Sequence, residues 1–149
     1  MVGLRKLSSA NAFVVTDLID VPSFGIVRSA KKILQGGAKD LARSMTYTFA
    51  SFEMKRGGAS GGINATPDEK EEAIGNFVSE LADDVSSGDL GLDAGKGIVP
   101  SSFEKLTAVD TRSDIRFSQH GSDDLGTFLT ALGPIVVAEQ LDELDGKTV

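Results

Sequence analysis

Apolar positions along this chain fall into strand-like and helix-like blocks that alternate. Ala12 to Ile19 (AFVVTDLI) is β-branched and apolar, a first strand, and Asp20, Pro22 and Ser23 then read as a turn. Phe24 to Ser29 is a second short strand. Ala38, Ala42, Met45, Phe49 and Phe52 recur at three- and four-residue steps, which places them on one helical face. That helix begins between Lys31 and Ala38 and runs through Leu41–Met54. Lys55-Arg56 closes it with positive charge, where a helix C-terminus favours it. Gly57, Gly58, Gly61 and Gly62 follow, a segment able to turn tightly and lie close to another backbone or a ligand. The expectation is a ligand-sized backbone niche, with a third strand emerging over Ser60 to Asn64.

Thr66-Pro67-Asp68-Glu69 then starts a helix, with a capping box, proline at the first position and early acids. Ile74, Phe77, Val78, Leu81 and Val85 keep helical spacing, so the helix spans Pro67 to about Asp84. Gly95 to Arg116 mixes a helix around Ser101 to Leu106 with charged loop. Gly121 to Leu144 is helical in pattern, broken or kinked at Gly133-Pro134.

Composition narrows the function classes. A length of 149 residues fits one domain with a real core, and 40% hydrophobic with 25% charged residues is ordinary for a soluble globular chain. The net charge of −7 argues against nucleic acid or an anionic membrane as partner, since phosphates need a basic surface. There is no cysteine, which excludes disulfides and thiolate chemistry. No apolar run reaches the length of a membrane span or a signal peptide, so a cytoplasmic protein is the expectation.

Chemistry-bearing residues are sparse. His120 is the sole histidine, and no acid or oxyanion donor is spaced to serve it, so it reads as a loop residue. Asp83-Asp84 and Asp123-Asp124 are the nearest candidates for a carboxylate metal site, but they read better as helix ends or caps, and no metal is expected. An anion cradle usually passes from strand to glycine loop to helix; here the glycines follow a helix and precede a strand.

The Met45-Thr46-Tyr47-Thr48 and Gly57-Gly58-Ala59-Ser60-Gly61-Gly62 segments resemble the core of the glutamate, leucine, phenylalanine and valine dehydrogenases. That family carries Met-Thr-Tyr-Lys and, twelve residues beyond the lysine, the lysine of Gly-Gly-x-Lys-Gly-Gly. Thr48 to Ser60 is the same step. The resemblance implies that the first lysine holds the substrate α-carboxylate and the second is the catalytic base; Thr48 and Ser60 stand in those places. It extends over roughly residues 12 to 149. Gly25-Ile26-Val27-Arg28 keeps the first glycine and the arginine of the family's Gly-Gly-x-Arg, leaving Arg28 either a cleft residue or a structural ion pair. Asp89-Leu90-Gly91 matches the family's Pro-Ala-Gly-Asp-Leu-Gly stretch, whose aspartate assists proton transfer; read alone, it is an aspartate in a turn.

Together with the alternating blocks, the resemblance implies an α/β fold: a mixed sheet of about five strands with helices on both faces. Residues 1–144 would form a dimerisation and substrate domain, with Ala12–Ile19 as an edge strand for pairing between copies. Residues 145–149 would open a dinucleotide-binding domain not contained in this chain. The implied site comprises Ser60 and Asp89 as catalytic positions, with Thr48, Gly57, Gly58 and Arg28 binding an amino acid or keto acid. No Gly-x-Gly-x-x-Gly follows a strand, so no cofactor is expected in this chain and NAD(P) only with a downstream domain. A neutral lysine amine accepts a proton where a serine hydroxyl does not, so the site reads as degenerate. The alternative is a non-catalytic assembly or regulatory relative of these enzymes.

Overall fold

Phe13 and Val15 pack on one side of a sheet while Val14, between them, packs on the other. Their strand, β2 (Ala12–Thr16), belongs with β1 (Gly3–Lys6), β3 (Ser23–Ala30), β4 (Gly57–Asn64) and β5 (Leu90–Ala94) to a five-stranded sheet ordered β1-β2-β4-β3-β5. β2 is antiparallel to β1 and β4, whereas β3 lies parallel between β4 and β5. The computed structural model describes residues 2–111, 119–120, 123–124 and 132–137. They divide between two units, Met1–Arg112 and Ser113–Val149, and the sheet lies in the first.

Helices cover both faces, as expected for the α/β class. α1 (Gln35–Ser51) sets Ala38 and Ala42 against Phe13 and Val15. On the other face α2 (Lys70–Ser86) buries Ile74, Phe77, Val78, Leu81 and Val85. The short α3 (Glu104–Val109) follows a single 3-10 turn, Pro100–Phe103. Phe103 stacks on Phe77 with ring centroids 6.0 Å apart, completing this larger core.

Several boundaries differ from the sequence reading. β2 stops at Thr16, and Leu18 and Ile19 are exposed beyond it. It is an interior strand; β1 and β5 are the edges, so pairing between copies through β2 is ruled out. α1 ends at Ser51 because Glu53 adopts a left-handed φ of 58°. Met54 N–H then bonds to the Phe49 carbonyl and Glu53 N–H to that of Ala50, the pattern of a Schellman stop. Lys55 and Arg56 therefore lie outside the helix, and Arg56 sits over the Phe24 ring at 4.9 Å. Pro67–Glu69 is a turn before α2, yet the capping contacts form: the Thr66 hydroxyl and N–H both donate to Glu69 Oε2.

The second unit contains an antiparallel pair, β6 (Gln119–His120) with β7 (Asp123–Asp124), so 123–124 are extended where a helix was expected. Residues 132–137 are helical, with Gly133 and Pro134 inside them. The expected dinucleotide strand at 145–149 lies outside the described residues.

Candidate functional site

The glycine segment is a strand, not a loop, and the niche it was expected to form is filled by the protein itself. β4 pairs with β2 along one edge and β3 along the other. Gly58 faces α1 so closely that a Cβ there would stand 1.8 Å from the Ala42 carbonyl oxygen and 2.8 Å from Met45 Cβ. At Gly62 a Cβ would meet the Phe13 ring at 2.6 Å. The glycines thus let α1 rest on the strand backbone. Their polar groups are engaged as well. Gly57 N–H donates to the Pro22 carbonyl, Gly58 N–H to Thr46 Oγ1 at 2.9 Å, and the Gly58 carbonyl accepts from Asp17 N–H. Gly57 and Gly58 are both buried, with these three groups committed to the fold itself.

Ser60 lies on the same face, in register with Val15 on one side and Ile26 on the other. It is only 2% exposed and its Oγ has no hydrogen-bond partner. Arg28 is two residues beyond Ile26, opposite Gly62, and its Nε is likewise buried without a partner. Alternation along β3 directs Phe24, Ile26 and Arg28 to the α1 side, where Phe24 meets Phe49 edge-on at 6.4 Å. Ile26 remains 45% exposed, so α1 covers β4 but leaves this part of β3 open. Gly95 borders the opening: a Cβ there would meet Ile26 Cγ2 at 2.3 Å and Arg28 Cγ at 3.5 Å. The next residue, Lys96, is exposed, and its carbonyl accepts from Ser29 N–H.

Ser60, Ile26 and Arg28 are therefore neighbours, but the other two sequence candidates are elsewhere. The register that aligns Ser60 with Ile26 aligns Ile26 with Asp93. Asp89 precedes Asp93 by four residues, roughly 13 Å along an extended chain, and its carboxylate accepts a hydrogen bond from Ser87. Thr48 is exposed on α1, with its hydroxyl donated to the Ser44 carbonyl. Thr46, two residues earlier, is the threonine that touches β4. β5 and its Asp93 have no counterpart among the strands expected from the sequence; the apolar Leu90 and Leu92 are the available sign of a buried parallel strand.

Elsewhere in the first unit, Glu80 on α2 accepts hydrogen bonds from the N–H groups and hydroxyls of Ser8 and Ser9. The Ser9 bonds, chiefly, hold its carboxyl down at about 2. This contact anchors the β1–β2 turn to α2. No group of metal-ligating side chains occurs among the described residues, and none of their helices is long and apolar enough to cross a membrane.

The architecture is that of amino-acid dehydrogenases. A hetero-hexameric glutamate dehydrogenase from Thermus thermophilus, solved with leucine bound, is 23% identical over 69% of this chain, with a TM-score of 0.55. The L-tryptophan dehydrogenase of Nostoc punctiforme is 18% identical over 73% of the chain (TM-score 0.56), and the glutamate dehydrogenase of Peptoniphilus asaccharolyticus 16% over 76% (0.53). This chain spans 26%, 34% and 32% of those proteins, respectively. At such identities the likeness is one of fold. No family model and no curated protein matches the sequence.

Proposed function

We propose that this chain is the substrate-binding and dimerisation domain of an amino-acid-dehydrogenase-like NAD(P)-dependent oxidoreductase, with a degenerate catalytic site. The observation that carries the proposal is that Arg28 Nε and Ser60 Oγ, on adjacent strands and the same face of that fold, are buried polar atoms lacking partners. Buried polar groups in folded proteins are nearly always satisfied, so an unsatisfied cluster points to a ligand. The Arg28 guanidinium, two residues along β3 from the exposed Ile26, suits the carboxylate of an amino acid or keto acid.

Proton abstraction is what the site lacks. Ser60 has no neighbouring base, and its hydroxyl is sealed beneath α1. Asp89, the proton-transfer position that the resemblance implies, stands four residues before Asp93, which is the residue in register with Ile26. The N–H groups of Gly57 and Gly58 are engaged within the fold, which supports leaving dinucleotide binding to other residues. Cofactor binding would rest with another domain.

Calorimetric titration with a panel of amino and keto acids tests this reading. Binding that weakens at least tenfold in Arg28→Met, without amino-acid-dependent NAD(P) reduction, is the expected result. Unchanged affinity in Arg28→Met would refute it. A second reading, a regulatory or assembly subunit, is favoured by the sealed Ser60. The Thermus protein is a mixed hexamer with leucine bound, so this fold occurs in such an assembly.

A further inference from the structure

Across the sheet from Ser60, a cavity of about 620 Å³ opens between β1, the β2–β3 turn and the end of α2. Small-molecule pockets occupy roughly 300–1,000 Å³. Leu4 and Leu18 line it and are still 41% and 36% exposed, so the chain's own core does not cover them. The charged rim is lopsided. Arg5 reaches both oxygens of Asp84, at 2.9 and 2.8 Å, and those two charges offset each other. Asp20 and Asp89 remain at the rim. Ser87 donates to Asp89, but among the described residues no cation pairs with either carboxylate.

Such a hollow disfavours carboxylates and phosphates and favours the opposite charge, held at the rim while an apolar body leaves water inside. We propose that this cavity binds a small organic cation, a primary ammonium on a short hydrocarbon body. The site is independent of the Arg28–Ser60 reading and stands whether or not that reading holds.

The test is an NMR titration of the full chain with hexylamine, 1-hexanol and hexanoate. Hexylammonium should shift the amides of Leu4, Leu18 and Leu90 and bind roughly tenfold more tightly than hexanol, the increment of a charge-assisted contact. Hexanoate should bind more weakly than either. Asp20→Asn/Asp89→Asn should lower the amine to the alcohol's affinity while leaving the alcohol unchanged. Both carboxylates are exposed, and a melting curve checks that the variant is folded. High salt on the unmodified chain supplies a second readout, expected to erase the amine's advantage. Equal binding of hexanoate and hexylamine, an amine preference surviving both the double variant and high salt, or no shifts at these amides would overturn the proposal.

Discussion

Replacing Gly58 with alanine tests whether α1 truly rests on strand backbone. The added Cβ would lie 1.8 Å from the Ala42 oxygen and 2.7 Å from the Thr46 nitrogen; an ordinary contact is roughly 3.5 Å. Both are main-chain atoms of a helix, so no rotamer change relieves them, and α1 must lift. Overpacking of this kind costs about 1–3 kcal/mol. Lifting the helix also stretches the bond from Gly58 N–H to Thr46 Oγ1, worth about 1 kcal/mol. The sum, roughly 2–4 kcal/mol, corresponds to a fall in melting temperature of about 10 °C for a domain of this size. Gly75→Ala is the control. Gly75 is exposed within α2 and nothing lies within 4 Å of its Cβ position, so it should stabilise by about 1 kcal/mol through helix propensity alone. Circular dichroism melts of the two variants decide the matter. A Gly58→Ala protein melting within about 2 °C of the parent would refute the close seating of α1.

Glu53→Gly should raise the melting temperature by about 4 °C, since glycine tolerates a φ of 58° and removes an acid from a helix C-terminus. Glu80 has its carboxyl lowered from 4.5 to about 2, so the stability it contributes is complete above pH 4.5 and is lost as pH falls toward 2; acid titrations of Glu80→Gln should lack that component. With a nucleotide domain fused downstream, the parent should stay near background in amino-acid-dependent NAD(P) reduction and Thr48→Lys/Ser60→Lys should not raise it, since Thr48 and Asp89 lie away from Ser60. Because Ser60 is 2% exposed, the new lysine should also lower stability; substantial activity in the parent would sink the degenerate-site reading.

α2 was legible because every signal for it is local: the Thr66–Glu69 cap and the Ile74, Phe77, Val78, Leu81 and Val85 stripe lie within one run of sequence. β4 was legible only in its second half, the strand expected over Ser60 to Asn64; Gly57-Gly58 read as a turn until β2 and β3 are seen to flank them. β1 was missed for another reason. Leu4, Arg5 and Lys6 are exposed, and only pairing with Phe13, Val14 and Val15 makes them a strand. At the site, the Gly-Gly motif singled out Ser60, which is buried on β4 with no hydrogen-bond partner for its hydroxyl. Its surroundings came from register, a non-local property, which put Ile26 beside it and Asp93 one strand further on, and left Asp89 before the start of β5. Nor could seventy-odd residues of separation reveal that Glu80 secures Ser8 and Ser9.

The glycine strand has a kinetic consequence. A strand with few side chains carries little information about its own partner or alignment. Gly57-Gly58 and Gly61-Gly62 are moreover four residues apart, so a slip of that length keeps every residue on its proper face. β4 is therefore a poor nucleus for folding. Its place is dictated by what has already assembled: α1, which fits only over Gly58, and Val27 with Phe77, which fit only over Gly61. The central strand of the sheet is, on this argument, the last to lock. Its insertion is the step at which a newly made chain commits to the native register or is delayed in a shifted one.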